Sequence, residues 1–173
     1  MKKIKDSFYL FSAWASGFCL ILMVSLILAQ IAARLLGQII PSSEDFAGWL
    51  LSATIFFGLA YTFNEGGHIR VTILLNRFSG RRQQFFEYIN IFIGLSISGY
   101  LAFYTAVTVY EAYDFADVTD TYLAVPLWMI QMPMAIGSTC LFIAMLDALV
   151  TMLMGKVPSY VHAENALELE SEV

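Results

Sequence analysis

Residues 8–30 read FYLFSAWASGFCLILMVSLILAQ and contain no charged side chain. Crossing the hydrocarbon layer as a helix takes about 20 apolar residues, because unpaired backbone groups in lipid are too costly. This run satisfies that length. Lys2, Lys3 and Lys5 precede it, as they would a secretory signal. The apolar stretch is too long for one, and the region after it, Ala32-Ala33 apart, is not a clean small-residue cleavage site, so the run is read as a retained signal anchor.

Three further stretches of comparable character follow, at about 46–63, 88–110 and 123–154, the last interrupted only by Asp147. Over the 173 residues, 59% are hydrophobic and 13% charged, with a mean hydropathy of +0.71. Soluble domains carry about 25% charged residues. No compact core of this size hides so much apolar surface from water. The sequence therefore predicts an all-α integral membrane protein: four transmembrane helices in a domain of residues 1–156, short interfacial segments, and an acidic, flexible cytoplasmic tail over 157–173. Cys19 and Cys140 both lie inside apolar runs, where a free cysteine packs as a small residue. The net charge of −5 comes from local groups of acids and points to no nucleic-acid partner.

Lysine and arginine placement sets orientation. Lys2, Lys3 and Lys5 come before span one, Arg70, Arg77, Arg81 and Arg82 between spans two and three, and Lys156 after span four; Arg34 alone lies on the opposite side. Both termini and the middle loop are expected in the cytoplasm, and the loop from Glu111 to Thr121 outside it.

The middle loop begins NEGGHIRV, residues 64–71. Gly66 and Gly67 suit the left-handed end of a helix. The following segment, from Ile69 to Phe78, suits an interfacial stretch with arginines at the headgroups. The glycines follow no strand and form no nucleotide-binding pattern. His68 has only His162 as a fellow histidine, and a stable metal site needs three or four ligands. No cofactor or metal is expected.

Among other polar residues, Ser42 or Ser43 is placed to cap span two, with Glu44 and Asp45 at its positive end. Arg34 is a candidate partner for Glu44. Glu87 opens span three and Asp147 lies near the inner end of span four, at similar depth. An ionisable group at membrane depth invites a functional hypothesis; a structural ion pair with an arginine of the middle loop is the simpler reading. Glu111, Asp114, Asp117 and Asp120 repeat every three residues, as on a solvated helical extension of span three, and form a candidate docking surface. Pro126 fits the first turn of span four, and Pro133 is expected to kink that helix or mark a later start. Gln131 and Ser138 suggest a face of span four that meets protein. Gly94, Ser96, Ser98 and Gly99 on span three, and Gly17 and Ser25 on span one, offer close helix packing. Trp14, Trp49, Tyr88, Tyr110, Tyr122 and Trp128 suit interface anchoring.

The order of these features resembles the small membrane subunit of TRAP transporters, the tripartite ATP-independent periplasmic uptake systems. In that family an arginine near the end of span one is followed by an acid opening span two, here Arg34 and Glu44 in AARLLGQIIPSSEDFAGW. Span two then runs into a W…G-A…G-x-H-[IV]-x-V pattern, and this chain reads WLLSATIFFGLAYTFNEGGHIRV, with Trp49, Gly67, His68, Arg70 and Val71 in the matching places. The proline-rich start of span four, VPLWMIQMPMAIG, is also similar. Thr72 departs from the aspartate that many members carry. The resemblance covers nearly all of residues 1–155.

That resemblance implies a non-catalytic partner to a much larger multi-span permease subunit, which moves the solute by an elevator motion and carries the sodium coupling. It also implies a periplasmic solute-binding protein that delivers carboxylates such as dicarboxylates or sialic acid. The small subunit would scaffold the large one among membrane lipids and offer a docking contact to the binding protein.

The residues agree with such a role. Spans one to three lack a buried polar cluster, and paired broken helices are missing. A small multidrug exporter needs a carboxylate in its first span, and a haem anchor needs histidines within spans; neither is present. An autonomous transporter or channel acting as an oligomer is the alternative, and it needs a polar stripe that no span displays convincingly in the sequence.

Overall fold

The structure, a computed structural model, describes residues 2–64 and 81–154, with side chains over 9–63 and 85–154. Four helices account for nearly all of it: α1 (Lys2–Leu35), α2 (Ser43–Asn64), α3 (Arg81–Asp114) and α4 (Leu127–Leu153). All four are long and apolar enough to cross a membrane. Among the described residues the only β-type pairing is an isolated bridge between Val118 and Pro126. The all-α, four-span architecture read from the apolar runs is the one observed.

The first three helices outlast their apolar runs, because helical hydrogen bonding continues past the edge of the hydrocarbon layer, whereas α4 lies within its run. The ends are set by local chemistry. At the end of α1, Gly37 takes φ +72°. Its N–H donates to Arg34 O at 3.1 Å, and that of Gln38 to Ala33 O at 2.9 Å. This paired pattern closes a helix through a left-handed residue. The same device ends α3 without a glycine. Ala116 stands at φ +52°, donating to Tyr113 O at 3.3 Å, while Asp117 donates to Ala112 O at 3.1 Å.

The second device corrects a sequence expectation. Glu111 and Asp114 lie on α3, but Asp117 and Asp120 lie in the loop beyond it. The acids therefore do not form one helical row. Residues 117–127 fold back on themselves instead. Leu127 N–H donates to Asp117 O at 2.9 Å, Thr119 N–H to Val125 O at 3.0 Å, and Val125 N–H to the Thr119 hydroxyl at 3.0 Å. That loop also fixes the start of α4 four residues later than the apolar run suggests.

Pro126 sits just before the helix, with φ −57° and ψ 124°, rather than in its first turn. Pro133 lies inside α4, which continues through it as one helix. The proline supplies no N–H for the carbonyl one turn back.

α1 packs on α2, α2 on α4 and α4 on α3. The strong interfaces thus form a row in the order α1, α2, α4, α3. Near one end the four helices converge on Tyr9, Ala60, Phe63, Ile91, Leu141, Ala144, Ala148 and Met152. Elsewhere the interfaces are built from small residues, including Ala53, Ala102, Ser98, Gly137 and Ser138. Lipid tails are as apolar as leucine, so helices in a bilayer gain by close approach rather than by hiding apolar surface.

Candidate functional site

Two of the three helix interfaces hold buried hydroxyls, and the third is a close backbone contact. Along α1, Ser12 and Ser16 stand one turn apart and both point at the backbone of α2. The Ser12 hydroxyl donates to Phe57 O, and that of Ser16 to Thr54 O at 2.7 Å. Gly58 makes room for the second contact; a Cβ there would lie 3.3 Å from Ser16 Oγ. Gly17 and Ser25 do not share this role. Gly17 has nothing within 4 Å of a built Cβ, and Ser25 is exposed, because both lie off the face that α1 turns to α2.

Between α3 and α4, the hydroxyls of Thr105 and Ser138 meet at 2.8 Å, and Ser138 is fully buried. Each also donates toward its own helix when its proton is turned there, Thr105 to Leu101 O and Ser138 to Met134 O, both at 2.8 Å. Gly94 and Gly99 seat the side chains of Met145 and Phe142, as the small residues of span three suggest. Tyr88 Oη reaches Met152 O at 3.3 Å.

The α2–α4 contact is the closest of the three. A Cβ added to Gly137 would lie 2.3 Å from the carbonyl oxygen of Phe56 and 2.4 Å from its carbonyl carbon. The sequence gives no sign of this beyond a glycine in an apolar run, since the demand comes from Phe56 on another helix, far away along the chain.

At the end of the molecule where α1 meets α2, Arg34 Nη2 stands 3.8 Å from Glu44 Oε1, and Gln30 Nε2 stands 3.5 Å from the same oxygen. Both partners of the ion pair are largely exposed, at 71% and 82%. At such exposure the pair contributes little stability, so it is available to other contacts. The cap expected at α2 takes another form. Ser42 adopts φ +56°, and its hydroxyl is buried without a partner among the described residues, while the Ser43 hydroxyl donates to Ile40 O at 3.0 Å. Glu44 and Asp45 do occupy the first turn of α2, where the helix dipole favours them. Trp49 is half-buried, its ring edge-on to Phe46 at 4.7 Å.

The α3–α4 loop bears a cleft of about 490 Å³ lined by Tyr113, Asp114, Ala116, Asp117, Val118, Pro126 and Trp128. Tyr113 and Trp128 meet edge to face, with centroids 5.9 Å apart. Glu111, Asp114, Asp117 and Asp120 are all exposed, so the surface around the cleft is acidic.

Glu87 and Asp147 are both half-buried, and Asp147 interacts electrostatically with Tyr9 of α1. The expected pairing of either acid with a middle-loop arginine lies outside the described residues. So do Gly67, His68, Arg70, Val71 and the 157–173 tail. Among the described residues no group of three or more histidine, cysteine or acidic side chains is arranged to hold a metal.

These features define a multi-pass membrane subunit whose fully buried polar residues, among those described, carry hydroxyls: Ser12, Ser43, Ser98, Thr105 and Ser138. Gln131, expected on a face of span four that meets protein, is half-buried, with its amide oxygen buried and unpartnered among the described residues. Residues 23–155 match the family of tripartite ATP-independent periplasmic transporters, DctQ component, and the chain belongs to that family. It is a transport component and not an enzyme. Similarity to a named relative is more local. The C4-dicarboxylate TRAP transporter small permease protein DctQ of Rhodobacter capsulatus is 29% identical over 83 residues, which make up 48% of this chain and 36% of the length of that relative.

Proposed function

We propose that this chain is the small, non-catalytic permease subunit of a sodium-coupled, binding-protein-dependent uptake system for carboxylate solutes, such as dicarboxylates or sialic acid. It scaffolds the static part of a large, solute-moving subunit in the bilayer. Its termini face the cytoplasm, and the acidic loop at 111–120 faces the periplasm, beside the solute-binding protein.

One observation carries this reading. The fully buried polar residues among those described carry hydroxyls, and Ser12, Thr105 and Ser138 spend theirs on contacts between helices; the buried amide oxygen of Gln131 stands apart from them as a single acceptor without a partner among the described residues. A carboxylate solute or a sodium ion needs several converging ligands or donors in place of its hydration shell. Those ligands belong to the larger subunit, and with them the sodium coupling. The C4-dicarboxylate in the name of the relative supports a carboxylate solute.

Reconstitution tests the proposal. Liposomes holding this chain alone, with a sodium gradient and C4-dicarboxylates or sialic acid outside, are expected to show no uptake. Uptake is expected once the large subunit and the binding protein are supplied. Robust uptake by this chain alone would overturn the assignment in favour of an autonomous transporter. For orientation, a cysteine introduced between Glu111 and Thr121 should react with an impermeant thiol reagent in spheroplasts; reaction only after permeabilisation would invert the topology.

A further inference from the structure

The outward face of α3 carries a row that its sequence does not advertise. Ser96, Tyr100, Tyr104 and Thr108 follow one another at every fourth position, and all four are exposed. Tyr100 is 65% and Tyr104 51% exposed, with ring centroids 4.3 Å apart. The row has no counterpart among the anchoring aromatics at the span ends.

Its depth is fixed by charge. Glu87 and Glu111 bracket the apolar part of α3, and Gly99 stands midway between them. At 1.5 Å per residue, Tyr100 is about 2 Å from the midpoint of the bilayer and Tyr104 about 8 Å from it. Side chains on a helix lean toward its N-terminus. The Tyr104 ring therefore leans back over Tyr100, toward the midplane and away from the nearer interface. Half the hydrocarbon layer is about 15 Å thick, and a tyrosine reaches about 6.5 Å. Neither hydroxyl attains the headgroups.

Ser96 and Thr108 satisfy their protons within α3, on Phe92 O and Tyr104 O, both at 2.8 Å. Among the described residues neither tyrosine hydroxyl has a partner of this kind. A phenol surrounded by acyl chains forfeits its hydrogen bonds, and tyrosine is ordinarily placed at the membrane surface for that reason. Two of them side by side at mid-depth, on the face turned away from this chain's other helices, match a neighbour that supplies acceptors.

We propose that the Ser96–Tyr100–Tyr104–Thr108 face of α3 is the docking surface for a transmembrane helix of the large permease subunit, one that presents hydrogen-bond acceptors at mid-membrane to the two phenols. This rests on the reading of the chain as one component of a heteromeric transporter. Membership of a family of transporter components favours a different chain over a second copy as the occupant. Lipid is disfavoured as the occupant by the depth of the hydroxyls.

The test is made in membranes holding the complete transporter. The photoreactive residue p-benzoylphenylalanine replaces Tyr100 or Tyr104 and, as controls, Ile21 or Leu28 on α1. An adduct with the large subunit is expected from both α3 positions. In parallel, the Tyr100→Phe/Tyr104→Phe double variant should lower recovery of the complex about tenfold, or about threefold for each hydroxyl. Fold of the isolated subunit should not change, since the lost oxygens point away from it. Adducts between two copies of this chain, adducts confined to α1, lipid adducts alone, or unchanged recovery of the double variant would each overturn the assignment. Co-purification of the unsubstituted chain with the large subunit reports separately on the scaffold reading. If the complex is recovered and the α3 adducts fail, only the choice of face falls.

Discussion

Replacing Gly137 with alanine adds a single methyl at the closest backbone approach described. That carbon would sit 2.3 Å from Phe56 O and 2.7 Å from Phe56 Cβ. Carbon–oxygen contacts in proteins settle at about 3.3–3.6 Å, so α2 and α4 must part locally by about 1 Å. Neither obstacle at Phe56 is a flexible side-chain tip that can swing aside, because two of the three atoms are main chain. Overpacking costs about 1–3 kcal/mol, and a backbone obstacle places this case toward the upper end. A radial gap of 0.5–1 Å forfeits a quarter to a half of each dispersion contact it opens. Against this stands the better helix propensity of alanine, about 1 kcal/mol. The net expectation is a loss of about 1–2 kcal/mol. Thermal unfolding in mild detergent, followed by tryptophan fluorescence, measures it. Gly17→Ala and Gly48→Ala provide the comparison, since a Cβ at either position meets nothing within 4 Å. These two should be neutral or slightly stabilising. If Gly137→Ala is as stable as they are, α2 and α4 do not touch backbone to backbone at this point, and the order of the row is wrong.

Three further outcomes are expected. Ala116→Gly should stabilise the α3–α4 loop by a few tenths to about 1 kcal/mol, because the left-handed conformation burdens any residue with a Cβ; slower amide exchange at Asp117 and Leu127 would register it, and unchanged exchange would count against it. A double-mutant cycle of Thr105→Val with Ser138→Ala should give a coupling of about 0.6 kcal/mol, the usual size for such bonds within membranes, and additive losses would mean that the two hydroxyls do not interact. Arg34→Ala should change the unfolding free energy of the isolated subunit by no more than about 0.5 kcal/mol, since its pair with Glu44 is solvent-screened; a larger loss in detergent would contradict the observed exposure.

The spans could be read because the cost of bare backbone in lipid leaves little choice: charge-free runs such as 8–30 must be helices. Where a helix ends is a finer matter. Gly37 signals the end of α1, but nothing marks Ala116 as left-handed, so the acids from Glu111 to Asp120 look like one continuous row. The displacement of α4 to Leu127 has the same origin, in hydrogen bonds from Leu127 to Asp117 and between Thr119 and Val125 that no apolar pattern encodes. Close-packing residues were legible by type and not by position. Gly94, Ser98 and Gly99 do face α4, whereas on α1 the work falls to Ser12 and Ser16 and not to Gly17. Which small residue matters depends on which helix lies opposite, and the order α1, α2, α4, α3 is a tertiary fact. The same holds for Tyr100 and Tyr104. In a linear reading they are two aromatics among many, and only their shared outward face at mid-depth turns them into a row.

The row of helices also has a bearing on how the chain enters its membrane. α1 with α2, and α3 with α4, are neighbours in sequence as well as in space, each pair joined by a short connection and stitched by its own hydroxyl contacts. The α2–α4 seam between them closes on the bare main chain at Gly137. Such a layout lets two helical hairpins leave the insertion machinery one after the other, each already satisfied within itself. Lateral docking of two preformed halves then completes the subunit, in a step that depends on fit and on no polar partner being found at the right moment.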